Sequence, residues 1–466
     1  MDWSLFYGKT SVVGMLLFTG TLLTGCGSGL VSATTAAPAI SGPSIWVGAW
    51  GASMTNAEPT GDNQGGTDRS FRFLVTSTID GTRERVRFSN VYGTTTVTIG
   101  AARLSAARDG SPAIDRNRDV PLLFDGQKIV TILPGQAVIS DPANLAFGIG
   151  QVLAVSIYLK GSFGRVSRHD SDFITNYTTV DGAGDKTADT SGGSYTGTLG
   201  DWLLINEIDV YGQYQGTLAM FGSSTTDGFK SDYGSDHVYP VPNMPLPQQH
   251  ADRVSDLMAR RLNTLGYRIG IINAGIPGNT VTDSPSNAAA TSTLNANDRM
   301  TQDVLGLPNL LGMVTYFGSI DLRSSDCKSA PEIESATQRM VQTAHAAKVP
   351  VVMVTLPPTA LCQNPGQPNY GPSPSANDPY AGGVQPGPPN GAEVQRLLFN
   401  QWVRTTGANL PGVAGIADYD RVLSDPQHPS FMLPLYNSGD NFHMNGAGYQ
   451  AELNAIPLTM LPPPAK

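Results

Sequence analysis

Leu218-Ala219-Met220-Phe221-Gly222-Ser223-Ser224-Thr225-Thr226-Asp227-Gly228 reads as a short apolar strand running into a turn of small polar residues. A continuous apolar run bounded by turn residues suits a strand buried on both faces. The period then changes: Gln249–Leu265 places Val254, Leu257, Met258 and Leu262 on one face of an amphipathic helix. Compact apolar runs recur at Ile269–Asn273, Met313–Phe317 and Val349–Thr355, with helical stretches at Ile333–Ala347 and Ala392–Thr405. Strands alternating with helices predict a parallel sheet covered on both faces, an α/β/α arrangement over residues 216–462. Such sheets bind ligands beyond the carboxyl ends of their strands, which puts the turn carrying Ser224 where chemistry is expected.

Upstream, the pattern is short and alternating. Arg72–Ile79 and Arg83–Ser89 flank Asp80-Gly81, a hairpin signal. Strand-like runs continue at Thr95–Leu104, Lys128–Leu133 and Val152–Leu159, and no long helical period interrupts them. Residues 44–215 are therefore expected to form an antiparallel β-sandwich. Residues 363–391, rich in Pro, Gly and Asn, read as a long loop.

The 466 residues are 40% hydrophobic and 14% charged, with 52 glycines and 34 prolines, enough apolar material for a real core with many turns. The formal charge of −9 argues against a nucleic-acid partner. At the start, Lys9 precedes an apolar run from Val12 to Leu23, too short to span a bilayer and suited to the h-region of a signal peptide. Leu23-Thr24-Gly25-Cys26 resembles the bacterial lipobox, so residues 1–26 are expected to be a lipoprotein-type signal with Cys26 lipidated, and 27–43 a flexible tether. The lipid would be the only contact with membrane. An exported chain leaves Cys327 and Cys362 as an even pair in an oxidising compartment, and a disulfide between them is expected.

Three more short signatures follow strands or close the chain. Asn273-Ala274-Gly275-Ile276-Pro277-Gly278-Asn279 comes after the second apolar run, and Phe317-Gly318-Ser319-Ile320-Asp321 after the third. Gly439-Asp440-Asn441-Phe442-His443 stands near the end, followed by Asn445-Gly446-Ala447-Gly448-Tyr449. In order and spacing, the four blocks over 217–460 resemble the SGNH/GDSL hydrolase family. Trp46-Val47-Gly48-Ala49-Trp50 and Arg87-Phe88-Ser89-Asn90 resemble the β-domain that precedes some of its members. The resemblance implies a flavodoxin-like hydrolase domain with serine esterase chemistry.

The residue types support that chemistry on their own terms. A serine hydroxyl becomes a useful nucleophile when a base takes its proton and a third group fixes the tautomer of the base. Ser224 is the expected nucleophile, His443 the base and Asp440 its orienting partner, in a known chain order for such triads. The resemblance assigns the backbone N–H groups of Ser224 and Gly278 to an oxyanion hole. It also exposes two departures: Ser223 stands where the family has Asp, and Ile320 where the family has a donor Asn. Asn279 is the first candidate to replace that donor and Ser319 the second; the third reading is a hole without a replacement. His169, His237, His250, His345 and His428 read as structural, and no histidine pair has metal-ligand spacing with Asp or Glu. Neither metal nor cofactor is expected. The substrate is expected to be a carboxylic ester, polymer- or sugar-linked esters included. A carbohydrate O-acetyl esterase is the alternative among enzymes, and a catalytically weak binding lipoprotein the alternative of another class. Oligomeric state is left open.

Overall fold

The structure is a computed structural model that describes residues 42–55, 63–108, 110–169, 175–231, 253–283, 294–323, 327–358, 392–440 and 442–465. Cys26, Cys362, His237, His250 and the loop 363–391 lie outside the described residues. Cys327 is disulfide-bonded.

Five strands form the parallel sheet, in the order Ile269–Gly275, Gly216–Gly222, Leu310–Tyr316, Val351–Val354 and Val413–Ala417. Every residue of Gly216–Gly222 and of Ile269–Gly275 is buried, as a strand covered on both faces requires. The first strand in sequence lies between the second and third, so the connections leave it in opposite directions. That topological switch point opens a crevice at its carboxyl end.

Among the described residues, eight α-helices, α1 Ser224–Asp227, α2 Val254–Thr264, α3 Ala296–Met300, α4 Ser319–Arg323, α5 Ala330–Ala346, α6 Ala392–Arg404, α7 Tyr419–Leu423 and α8 Gly446–Ala455, accompany the sheet. α2 and α7 pack against α8, whereas α3 and α6 pack against α5, giving two helical layers. The helix at 254–264 buries Val254, Leu257, Met258 and Leu262, the face that the spacing predicts. α5 begins with a capping box, Ser329 and Glu332 each bonding the other's backbone end.

The upstream half contains a four-stranded and a seven-stranded antiparallel sheet. Val47, Val86, Phe88 and Val210 from the first share one core with Phe71, Phe73, Leu104 and Val155 from the second. The expected hairpin across Asp80-Gly81 is absent. Gly66–Thr76 pairs with Val152–Phe163, while Glu84–Ser89 pairs with Ile205–Gly212 in the other sheet. The intervening residues bond elsewhere: Thr78 N donates to Ala49 O at 2.7 Å, Gly81 bridges Phe147, and Tyr214 donates to Asp80 O. These tertiary bonds turn the connection into a crossing between sheets.

Ile269–Gly275 is an edge strand, and edges need cover. Thr78 Oγ1 both donates to Ile271 O and accepts from Ile271 N, and Ile272 packs under Gly48 and Gly51. Gly48 N donates to Thr217 Oγ1 at 3.0 Å. At Gly270 the two halves meet backbone to backbone, since a Cβ there would sit 1.9 Å from Gly48 O. Gly270→Ala must therefore push the strand Ile45–Gly51 off the sheet edge, at a cost of about 1–3 kcal/mol. Denaturant unfolding should show a lower midpoint; an unchanged midpoint would contradict this packing.

Candidate active site

α1 starts at the carboxyl end of Gly216–Gly222, and Ser224 is its first residue. The chain can turn this sharply because the neighbouring strand ends in glycine: a Cβ on Gly275 would lie 2.3 Å from Asp227 N. Asn273 holds the turn from below, its Nδ2 donating to Thr226 O at 2.8 Å and to Ser255 Oγ at 3.0 Å.

Asp440 and His443 arrive on the loop before α8. Asn445 caps that helix and its amide donates to Leu435 O and Asn437 O, which pins the loop. Asp440 Oδ1 accepts from the backbone N–H groups of Phe442 and His443, at 2.9 and 2.7 Å. Its Oδ2 lies 2.7 Å from His443 Nδ1. His443 Nε2 lies 2.8 Å from Ser224 Oγ. With Nδ1 donating to a carboxylate, Nε2 is left as the acceptor for the serine hydroxyl. Burial alone would raise the Asp440 carboxyl, but the His443 bonds and charge, with Lys230, hold it well below the usual carboxylate range. It is an ionised partner. Both Ser224 and His443 are largely buried, and the rings of Phe229 and Phe442 pack on the imidazole at 4.6 and 4.4 Å between centroids.

Gly278 sits at φ +72, the left-handed region that glycine enters without strain, in the loop after Ile269–Gly275. The next segment is anchored by Asp321, which accepts from Val281 N, Thr282 N and Thr282 Oγ1. Asn279 does not complete the hole. Its side chain is completely buried, with Nδ2 donating to Leu294 O at 2.7 Å and Oδ1 accepting from Arg299 Nε at 2.8 Å. The Ser319 hydroxyl is buried near the Tyr316 phenol. Ile320 remains half-buried where a donor was expected.

Two contributors were not legible as site residues. His169, on the two-residue strand Arg168–His169 of the upstream half, is buried, with Nδ1 2.7 Å from Ser53 O and Nε2 3.1 Å from Asp227 Oδ1. It ties the upstream half to the helix that carries Ser224. Arg299, fully buried on α3, donates to Gly222 O, Ala274 O, Asn279 Oδ1, Ser53 Oγ and Asp303 Oδ2. The sequence signal was an Arg–Asp pair at i,i+4 among the buried residues Ala296, Met300 and Val304. Behind α1, a cavity of about 10 Å³ is bounded by Thr225, Thr226, Tyr316, Tyr419 and Glu452, and burial raises the Glu452 carboxyl well above its ordinary range.

Fold and site together define a hydrolase that acts on esters. Residues 220–451 match the GDSL-like Lipase/Acylhydrolase family. Similar solved structures include a carbohydrate acetylesterase family member from Sinorhizobium meliloti (16% identity, TM-score 0.35), covering 51% of this chain and 94% of that one. The aryl esterase of M. Smegmatis is 15% identical with a TM-score of 0.34, covering 51% and 95%. A family two carbohydrate esterase from Cellvibrio japonicus is 12% identical with a TM-score of 0.32, covering 90% and 94%. No curated protein matches the chain.

Arg299 provides a direct test of how the site is held. Arg299→Met leaves Asp303 as an unpaired buried charge and should destabilise the fold by about 3–5 kcal/mol. Adding Asp303→Leu should return part of that loss in denaturant unfolding. A single mutant as stable as the parent would contradict the arrangement.

Proposed function

We propose that this chain is an exported serine esterase that hydrolyses carboxylic esters through an acyl-enzyme intermediate. The continuous hydrogen-bonded run Asp440–His443–Ser224 carries the reading. Ser224 Oγ attacks the ester carbonyl carbon while His443 Nε2 takes the hydroxyl proton. The carbonyl oxygen becomes an oxyanion held by the backbone N–H groups of Ser224 and Gly278. Collapse breaks the bond to the alcohol oxygen, which leaves with the proton from His443. Water then attacks the acyl group, again giving its proton to His443, and Ser224 is regenerated with release of the acid. Asp440 stays ionised throughout and fixes the imidazole tautomer.

Half-buried Ile320 in place of an amide donor supports an oxyanion hole built from backbone alone. Losing one side-chain donor from such a hole typically lowers turnover about 10²–10³-fold, so a modest kcat belongs to this reading. Export and lipidation of Cys26 rest on the leader pattern, and the acyl and alcohol groups are those of a carboxylic ester without closer definition.

The experiment is hydrolysis of a short-chain aryl ester by Ser224→Ala, His443→Ala and the double mutant. Each should lose about 10⁴-fold or more in kcat, and the double mutant should be no worse than either single one, because the residues act as a unit. Ser224→Ala with near-parental turnover, in a folded protein, would overturn the assignment.

A further inference from the structure

A cation stands beside this run of residues. Lys230 Nζ lies 3.0 Å from Asp440 Oδ2, the oxygen that also lies 2.7 Å from His443 Nδ1. We propose that Lys230 is a positioning residue whose charge, shared with Asp440, keeps His443 in the neutral, proton-accepting form in mildly acidic solution. The proposal rests on the triad reading and deepens it.

Its place in the chain supports the role. Gly228 N and Phe229 N both donate to Ser224 O, at 3.0 and 2.9 Å, so the turn that carries the nucleophile runs directly into Lys230. Lys230 itself sits at φ +64, a left-handed conformation uncommon for residues other than glycine and concentrated at functional positions. Phe229, between the two, lays its ring on His443, and Tyr449 OH fixes its carbonyl at 2.8 Å. The lysine and aspartate side chains are 18% and 27% exposed, so water screens their interaction less than at an open surface.

The sign follows from charge alone. An ammonium beside the pair repels the imidazolium that would form when His443 takes up a proton. By sharing Oδ2, it also weakens the pull of Asp440 on the Nδ1 proton. Both effects disfavour protonated His443 and extend the neutral form to lower pH. Among the described residues, Tyr449 on α8 interacts with Asp440, and Asp227 on α1 and Glu452 on α8 in turn face Tyr449, with Asp227 bonding His169. Lys230 is thus the cation that, among the described residues, touches the triad carboxylate.

The test compares the parent, Lys230→Met and Lys230→Arg by the pH dependence of kcat/KM on a soluble aryl ester, and by NMR titration of the His443 ring in a Ser224→Ala background. Lys230→Met should move the acid limb and the His443 midpoint upward by about one pH unit, with the plateau rate changed no more than a few-fold. Lys230→Arg should keep the parental profile. An unmoved His443 midpoint, or a loss at the plateau without a shift of the limb, would overturn the proposal. The two readings fail separately: a fully active Ser224→Ala would remove the triad, whereas the ring titration reports on Lys230 whatever the nucleophile.

Discussion

One buried guanidinium organises the site. Arg299 lies among carbonyl oxygens at the ends of two parallel strands, Gly222 O at 2.9 Å and Ala274 O at 3.0 Å, with its centre 4.5 Å from the Phe221 ring. Gly222 O also accepts from Ile276 N at 3.1 Å, and an arginine offers five donors in a fixed fork to complete the bonding of such buried carbonyls. The same group holds Asn279 in the loop after Gly278 and Ser53 in the upstream half. Asp303 supplies the countercharge that makes a buried cation tolerable. The turn that carries Ser224, the loop after Gly278 and the upstream half therefore meet at a single side chain.

Topology does the rest of the positioning. Because Gly216–Gly222 lies inside the sheet, its carboxyl end opens into the crevice between diverging connections, and α1 lifts Ser224 into it. His443 and Asp440 come from a separate loop, but they stand only three positions apart, so one tight turn aims the carboxylate at Nδ1. The backbone bonds to Asp440 are short and charge-assisted, which makes the loop geometry and the ionised carboxylate mutually dependent. His169 adds a constraint from the upstream half through Asp227. The upstream half is thus part of the site's support, whatever else it binds.

What could be read from the sequence was what local order encodes. A strand followed by a small-residue turn located Ser224, and an Asp and a His three residues apart located their own pairing. The buried face of α2 was visible as apolar spacing, and α5 and α6 as helical stretches. Failures came where a distant partner decided the outcome. Asp80-Gly81 looks like a two-residue turn, yet Ala49, Phe147 and Tyr214 capture its neighbourhood. Asn279 has the right amide beside the right glycine, yet Arg299 and Leu294 claim both of its ends. His169 carries no local mark of its contact with Asp227, 58 residues away. The fifth strand, Val413–Ala417, reads as Val-Ala-Gly-Ile-Ala, too small and too half-exposed to stand out as a buried run.

The central claim is that Ser224 is a nucleophile activated by His443, and covalent trapping measures that most directly. A fluorophosphonate reacts with an activated serine by forming an oxygen–phosphorus bond and expelling fluoride. Intact mass and peptide mapping should show one adduct, on Ser224, formed far more slowly in His443→Ala and absent in Ser224→Ala. A protein that hydrolyses esters while Ser224 stays unlabelled, or that carries the adduct on another residue, would contradict the account.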